Sequence, residues 1–340
     1  MSEEFYLQPF NHSFDERGNI SFQNANILKT NKQNNFEIKK TVDISKISKN
    51  FKSNACLKKY PYLSPRLKKI NNPLPAIDCI GSQKPIIMGI LNITEDSFHD
   101  GGQYFDLKSA LNRVETLLKE GADIIDIGGE STKPGASVID TEEEIKRIKP
   151  VIMELSKNNI LTSCDTRNSL TMQVALDLGT KIINDVSSLS YDKNTLKLLQ
   201  NYDCMYVLMH SRGTPQTMQN NLIYNNVVCD IYNFFIKKIN LLKRMNISKE
   251  RIILDPGIGF AKTLEHNYTI LKNLGIFLDL GHHLMIGVSR KSLIKRLTKT
   301  DTLTPSVVLA VDAFAKGAKI LRVHDVQKTK EAINIFKRAN

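Results

Sequence analysis

The residues of this sequence that could do chemistry stand where short apolar runs end. The stretch Ala122 to Gly135, ADIIDIGGESTKPG, shows the pattern most fully. An isoleucine-rich run, of the kind buried on both faces of a parallel sheet, gives way to two glycines. A carboxylate (Glu130), two hydroxyls (Ser131, Thr132) and a cation (Lys133) follow, and Pro134-Gly135 then turns the chain. Taken alone, this is also the composition of an ordinary connecting loop. The arrangement recurs, however. Other apolar runs end in Asn92-Ile93-Thr94, Asp165-Thr166, Asn184-Asp185, Met209-His210, Asp255-Pro256-Gly257, Ser289-Arg290-Lys291 and Arg322-Val323-His324.

Asp165, Asn184 and Asp255 offer two carboxylates and an amide. Such a set suits a flat heterocycle with several donors and acceptors, because an ionised carboxylate takes paired N–H groups from an aminopyrimidinone-type edge as it does from guanidinium. Asp and Asn also cap helices, so Asp165 and Asn184 carry both readings. Asp255 sits in LDPGIGF, where proline and two glycines shape a stiff loop and Phe260 adds an aromatic face. The last two runs end in Arg290, Lys291, Arg322 and His324, an anion clamp if they converge and surface charge if they do not. Arg322 and His324 are two apart, so in a strand both point to one face and Val323 to the other. Asn92 heads ITEDSFHDGG, whose Asp96, Ser97, Phe98 and Asp100 precede two glycines, as in a mobile lid. His210, in MHSRGTPQTMQ, suits a structural role as well as a catalytic one. No Ser-His-Asp or Cys-His arrangement and no His/Cys cluster stands out, which supports neither covalent hydrolysis nor zinc chemistry. A magnesium ion carried on a diphosphate would need few protein groups.

These residues need elements to position them. Strands are expected at Ile86–Ile93, Ala122–Ile127, Ile160–Cys164, Lys181–Asp185, Met205–Met209, Arg251–Leu254, His283–Val288 and Lys319–Val323. Helical periodicity covers Leu107–Glu120, a helix opening at Thr141, and Asn168–Gly179, Asn194–Tyr202, Asn226–Met245, Glu265–Asp279, Ser306–Gly317 and Lys328–Arg338. Thr141 with Glu144 reads as a capping box. Eight strands alternating with eight helices over about 255 residues predict an α/β fold, a (β/α)8 TIM barrel, with a doubly wound sheet as the alternative. In a barrel the functional residues lie at the C-terminal strand ends, and the loops after strands seven and eight bind phosphate. A helix beginning beyond Asp325 would add positive potential there.

The chain has 340 residues, 41% hydrophobic and 24% charged, an ordinary globular composition. No stretch is long and apolar enough to span a membrane, and MSEEFYLQPF lacks the order of a signal peptide. Five scattered cysteines without a CxxC pair read as reduced thiols, hence a cytoplasmic protein with no membrane association. The formal charge of +12 raises nucleic acid as a partner. The cations form no run flanked by stacking aromatics and Trp is absent, so no nucleic-acid partner is expected, and the charge would instead draw in anionic small substrates. Residues 1–80 differ from 81–340: they are rich in Asn and Lys, without βα alternation. LQPFNHSF, NISFQNANI and NFEIKKTVDI have weak strand character, whereas SKISKNF and RLKKINN read as solvated or flexible. This N-terminal extension is expected to be a small appended subdomain, a clamp over the barrel, or partly disordered chain.

GILNITEDSF, DIGGESTKPGA, CDTRNS, IINDVSS, YVLMHSRGTPQTMQ, LDPGIGFAK, IGVSRKS and ILRVHDV, in this order, resemble the signature blocks of the dihydropteroate synthases. The resemblance runs from about Pro85 to the C-terminus. It implies a transferase of folate biosynthesis that joins 6-hydroxymethyl-7,8-dihydropterin diphosphate to p-aminobenzoate, giving 7,8-dihydropteroate and diphosphate. It further implies pterin binding by Asp165, Asn184, Met209, Asp255, Phe260 and Lys291. Asn92, Arg322 and His324 would hold the diphosphate, Asn92 with Mg2+, and these three with Lys291 would be the catalytic set. Phe98, Thr132, Lys133, Pro134 and Ser289 would shape the p-aminobenzoate site. Asp96 and Asp126 match family positions near the first loop and the barrel floor. Two departures stand out: Glu95 where the family has Pro, and Lys133 where it has Arg, which keeps charge but loses the fork. A homodimer through the later helices is also implied, in keeping with the apolar SVVLAVDAFAKGA. The competing readings are a pterin-dependent methyltransferase barrel, which needs no diphosphate clamp, a non-catalytic synthase-like paralogue, and a bifunctional folate enzyme.

Overall fold

A computed structural model of the chain describes residues 5–14, 20–44, 63–71, 74, 85–93, 107–131, 135–214, 216–218, 222–296, 298 and 301–340. Within it the apolar runs close on themselves. Strands β4 (Ile86–Asn92), β5 (Ile124–Gly128), β6 (Thr162–Asp165), β7 (Ile182–Asp185), β8 (Met205–Met209), β9 (Ile252–Asp255), β10 (His283–Ile286) and β11 (Ile320–Val323) form a closed parallel barrel. Closure is made by β11 against β4, from Ile320↔Ile86 to Val323↔Gly89, which removes the doubly wound alternative.

Strand alternation explains why this barrel is solid below and polar above. Ile86, Met88, Ile124, Ile182, Met205, Val207, Ile253, Met285 and Ile320 point inward and form one buried plug. Two residues further along, the same inward phase delivers Asp126, Asn184, Met209, Asp255 and Arg322. The opposite phase, including Ile125, Ile127, Leu208, Leu254, Leu321 and Val323, packs beneath the helices. Each such side chain, fully buried, contributes roughly 1.5–3 kcal/mol.

The outer layer is α2 (Leu107–Glu120), α3 (Thr141–Lys157), α4 (Ser169–Asp177), α5 (Thr195–Asn201), α6 (Val227–Arg244), α7 (Leu264–Lys272), α8 (Ser292–Lys295), α9 (Leu303–Ala315) and α10 (Val326–Ala339). Two local expectations fail. No capping box joins Thr141 to Glu144: Asp140 holds the N-cap position of α3, and Glu144 is buried, accepting from Asn168 Nδ2 at 2.7 Å and Thr171 Oγ1 at 2.6 Å. Glu144 is thus a tether between α3 and α4. The stretch Glu265–Asp279 is not one helix either. After Lys272 it tightens into a 3-10 segment, Leu274–Leu280, where Gly275 lies so close to Pro9 that a Cβ would stand 3.1 Å from its ring.

The three weak strand segments of the extension form an antiparallel sheet of β1 (Phe5–Phe14), β2 (Ile20–Thr30) and β3 (Phe36–Asp43). RLKKINN is not solvated coil but lies largely in helix α1 (Ser64–Asn71). Leu63, Leu67 and Ile70 fall on one helical face and join a buried cluster with Phe5, Leu7, Ile27 and Val42. SKISKNF lies outside the described residues. The sheet is fastened to the barrel's helical layer. Arg66 donates to Asp279 Oδ2 (3.0 and 2.5 Å), to the Phe5 carbonyl (2.8 Å) and to Tyr232 Oη (2.9 Å), while Tyr232 donates to Asp279 Oδ1 (2.7 Å). Phe14 stacks on Phe314 at 5.4 Å. Among the described residues, no helix is long and apolar enough to cross a membrane.

Candidate active site

The inward residues above the plug meet in one charged cluster. Arg322 of β11 donates through Nε to Asp126 Oδ2 (2.6 Å) and through Nη2 to Asp165 Oδ2 (2.7 Å), so one guanidinium crosses from the last barrel strand to the second and third. Asn184 Nδ2 reaches the same Asp126 oxygen at 3.3 Å. Asp126, Asp165 and Asn184 are all buried, and Asp126 Oδ1, Asp165 Oδ1 and Asn184 Oδ1 have no hydrogen-bond partner among the described residues. Buried acceptors left in this state are costly, and three in one cluster describe a surface built for N–H donors. Asp165 and Asn184 are not helix caps: Asn168 and Asn194 hold those positions.

Electrostatics follow from burial and from the partners. Burial pushes the Asp165 carboxyl up to about 7, against the pull of Arg322 and with the push of Asp126 and Glu144. Burial opposes charge on Arg322, but Asp126 and Asp165 outweigh it and hold the guanidinium firmly protonated. Asp255 is also raised by burial, although the Gly257 N–H donates to its Oδ1 at 2.7 Å. Gly257 has φ +69°, and a Cβ there would fall 2.0 Å from the His210 carbonyl oxygen. That glycine therefore fits the loop after β9 against the end of β8.

Lys291 enters from the end of the seventh barrel strand. Its Nζ donates to the Ile258 carbonyl (2.8 Å) and stands 4.2 Å from the centroid of the Phe260 ring. Burial lowers its pKa to about 8, with Asp255 pulling the other way. Met209 is buried at the head of β8, in the inward phase. Lys262, unremarked in the sequence, is buried and donates to the carbonyls of Phe260 (2.8 Å) and His210 (3.2 Å), with His210 Nδ1 at 3.0 Å. His210 is thus a structural histidine.

His324 shares Arg322's phase and meets Ser289. The Ser289 hydroxyl accepts from the His324 backbone N–H (3.2 Å) and lies 3.0 Å from Nδ1. One lone pair of that hydroxyl takes the backbone N–H, the direction of its bond with Nδ1 follows the imidazole tautomer, and Nε2 is the ring nitrogen left free of this contact. Burial, then Arg322 and Arg290, lower the imidazole to about 3, so at neutral pH His324 is uncharged and offers the clamp a single ring N–H. Arg290 is not in the site. Its half-exposed guanidinium binds Asp325 (2.5 and 3.1 Å), joining the loops after β10 and β11. Asn92 ends β4 opposite Gly128, where a Cβ would sit 3.7 Å from Asn92 Oδ1 and 3.6 Å from Asp165 Cβ. Gly128 thereby keeps the space between Asn92 and Asp165 open.

The structure therefore brings together Asp165, Asn184 and Arg322, gathers Met209, Asp255, Phe260 and Lys291 beside them, and sets Asn92, His324 and Ser289 at the same mouth. Phe98, Thr132, Lys133 and Pro134, with Glu95 and Asp96, lie outside the described residues. Sequence reasoning placed Asp126 only at the barrel floor and missed it as the partner of Arg322. A lone carboxylate within IIDIG, in the phase of Gly128 and Glu130, was the available signal.

Comparison with known proteins agrees with this geometry. The family model for pterin binding enzymes matches residues 88–324. The chain is 45% identical over 265 residues to the dihydropteroate synthase of Neisseria meningitidis serogroup C, covering 76% of this chain and 93% of that one. It is 39% identical over 255 residues to that of Escherichia coli (strain K12), with 74% and 90% covered. A solved structure of Xanthomonas albilineans dihydropteroate synthase with 4-aminobenzoic acid superposes with a TM-score of 0.72 at 35% identity, over 78% of this chain and 98% of that one. Another from the same organism, in complex with 7,8-dihydropteroate, gives 0.68 at 32%, over 78% and 95%. Barrel, buried acceptors and sequence agree along the same stretch: the chain belongs to the dihydropteroate synthase family of pterin-binding enzymes.

Proposed function

We propose that the residues at this mouth divide the dihydropteroate synthase reaction, in which 6-hydroxymethyl-7,8-dihydropterin diphosphate and p-aminobenzoate give 7,8-dihydropteroate and diphosphate. The observation that carries the assignment is the trio of partnerless buried oxygens on Asp126, Asp165 and Asn184. The amino and ring N–H groups of a pterin supply the missing donors. Lys291 faces the pterin's acceptor edge, while Phe260 and Met209 pack against the ring. Asp255 holds the loop that carries Phe260.

Asn92, Arg322 and His324 take the diphosphate. Arg322 spends two of its five N–H donors on Asp126 and Asp165, and the others remain for the anion. His324 donates from Nε2. As the C–O bond breaks, the diphosphate gains charge and these donors act more strongly on the transition state than on the ground state. The pterin methylene is left electrophilic, the arylamine nitrogen forms the new C–N bond, and the amine proton is released to solvent. Phe98, Thr132, Lys133, Pro134 and Ser289 shape the p-aminobenzoate site on this reading.

Among the described residues no group of three or more His, Cys, Asp and Glu side chains could hold a metal ion. The donor set at Asn92 is one amide oxygen, which fits a magnesium ion whose other ligands are diphosphate oxygens and water. Such an ion would supply charge neutralisation on the leaving group. Residues 81–340 carry the chemistry, and residues 1–80 are an extension whose described part is braced on the barrel. A cytoplasmic setting suits the free thiols of Cys164, Cys204 and Cys229.

The test is a coupled assay for diphosphate release. Release that requires both the pterin diphosphate and p-aminobenzoate, with dihydropteroate formed in equal amount, is the expected result. Diphosphate release indifferent to p-aminobenzoate would overturn the reading.

A further inference from the structure

Lys291 and Lys262 both bind carbonyls of the loop after β9, and the reaction as described uses only Lys291. Lys262 is 4% exposed. Its Nζ donates to the Phe260 carbonyl (2.8 Å) and to the His210 carbonyl (3.2 Å), and stands 3.0 Å from His210 Nδ1. Burial pulls the amine well below the usual lysine range, with Asp255 pulling the other way. The protonated and the neutral amine alike carry the two N–H groups that the carbonyls need. The imidazole nitrogen then meets what remains, a third N–H or the lone pair.

The two carbonyls belong to the two strand ends that carry the apolar faces of the site. His210 follows Met209, the last residue of β8, and its N–H donates to the Asp255 carbonyl of β9 at 2.8 Å. Phe260 lies in the loop that leaves β9. Between Phe260 and Lys262 the backbone of Ala261 has φ +51°, a left-handed conformation that residues with a Cβ rarely adopt. That turn brings the Lys262 amine back onto the Phe260 carbonyl, and Tyr224 Oη donates to the Ala261 carbonyl at 3.0 Å. The loop is as tight at its start, where a Cβ on Gly257 would stand 3.4 Å from Lys262 Nζ. The Phe260 ring, whose centroid lies 4.2 Å from Lys291 Nζ, therefore hangs on a backbone that Lys262 ties to the end of β8.

We propose that Lys262 is a positioning residue for pterin binding: its amine fastens the loop after β9 to the end of β8, and so sets the place of Phe260 relative to Met209. The proposal rests on the reading that these two side chains pack against the pterin ring. Lys262 itself need not touch the substrate, since its amine is engaged by the protein. The two apolar faces meet the ring in the same way before and after the diphosphate leaves, so loosening them weakens the binding of ground state and transition state alike. That separates Lys262 from Arg322 and His324, whose donors act on the departing charge.

The experiment compares Lys262→Met and Lys262→Gln with the unaltered chain. Methionine keeps an unbranched chain without an N–H, whereas glutamine keeps an NH2 group on a shorter reach. Calorimetry gives the Kd of 6-hydroxymethyl-dihydropterin, and steady-state kinetics give kcat and the KM of the pterin diphosphate. In Lys262→Met we expect Kd and KM to rise about tenfold or more, the range of one or two lost hydrogen bonds, with kcat at saturating substrates within about threefold of the original. Lys262→Gln should recover part of the loss, with a rise of about two- to fivefold. An unchanged pterin Kd in Lys262→Met would overturn the proposal, as would a Lys262→Gln chain that binds as weakly as Lys262→Met. Should Lys262→Met fail to fold, Lys262→Gln decides alone: a raised Kd with kcat kept upholds the proposal, and an unchanged Kd overturns it. An unaltered chain that does not bind the pterin would remove the functional reading itself, a result distinct from either.

Discussion

Arg322 and Asp165 face each other across the barrel mouth, with Nη2 and Oδ2 2.7 Å apart. This pairing, together with the bond to Asp126, gives Arg322 a structural duty in addition to its place near the diphosphate. Arg322→Ala would strand Asp126, which is fully buried, and Asp165 beside it. Breaking a buried pair from one side costs roughly 3–5 kcal/mol. Arg322→Ala is therefore expected to lower the melting temperature as well as kcat, which thermal unfolding beside steady-state kinetics would show. A variant that melts normally would refute the structural duty.

His324 separates the two effects. It contacts Ser289 and carries no buried counter-ion, so His324→Ala should leave stability within about 1 kcal/mol, the scale of a single neutral hydrogen bond. Loss of one donor to a developing oxyanion typically lowers turnover about 10²–10³-fold. The expected outcome is a folded enzyme with kcat reduced on that scale and unchanged binding of a pterin lacking the diphosphate. Near-normal turnover would remove His324 from the clamp.

Asp165 and Lys291 set a narrow pH window for pterin binding. The Asp165 carboxyl accepts N–H groups most strongly when ionised, and its pKa is raised to about 7. The Lys291 ammonium donates only when protonated, and its pKa is lowered to about 8. Affinity for the pterin diphosphate should thus rise with pH through about 7 and fall above about 8, as calorimetry across pH would record. The stability effect of Asp165 has the opposite sense on the acid side. An unfolded Asp titrates near about 3.9, so between that value and about 7 the folded state holds the extra proton and this group's contribution to stability falls as pH rises. Asp165→Asn should flatten the acid limb of binding, and a limb that persists in that variant would assign it elsewhere.

The barrel was legible because its signal is repetition. Runs such as IIMGIL and IIDIG, each followed by a polar end, leave little room for another arrangement, and every strand formed within two or three residues of its expected place. The site was legible to the extent that alternation fixes direction: Arg322 and His324 share a phase, and Val323 packs outward. Partner choice was not legible. Arg290 and Arg322 are the same residue type at neighbouring strand ends, yet one is spent on Asp325 and the other on Asp126 and Asp165. Their places separate them: Arg322 lies within β11 in the inward phase of Ile320, whereas Arg290, at φ +56° and half-exposed, stands in the turn past the end of β10, out of phase with the inward Met285. Glu144 shows the same limit, because its spacing from Thr141 suits a cap while the tertiary contact with Asn168 and Thr171 wins.

The extension was the least legible part. Its strands alternate weakly because much of the sheet is solvated, as the pattern of β3 shows, and its one strong face is completed only by α1. Arg66 is the joint that matters. Asp279 is buried, and among the described residues its carboxylate accepts from Arg66 and Tyr232. Arg66→Ala is therefore expected to cost about 3 kcal/mol, the lower end for a broken buried pair. Turnover per folded molecule should hold, since Arg66 binds the helical layer and not the barrel mouth. Chemical denaturation with activity measured in parallel tests both halves, and a loss of kcat without loss of stability would tie the extension to catalysis.

The later helices carry the expectation of a homodimer. In α9 one face is buried through Ser306, Ala310, Ala313 and Phe314, while Val308 on the other is 60% exposed. On α10, which packs beside it, Ile335 is 70% exposed. Solitary exposed apolar residues are common, but two on adjacent helices whose other apolar faces are already buried suit a two-fold contact that repeats the same patch on both subunits. A charge placed at the centre of such a patch would meet its own copy across the axis. Val308→Glu is accordingly expected to shift the protein from dimer to monomer in light scattering at micromolar concentration, with the barrel still folded. A chain that is monomeric before the substitution would reject the dimer, and one that stays dimeric after it would move the contact off α9.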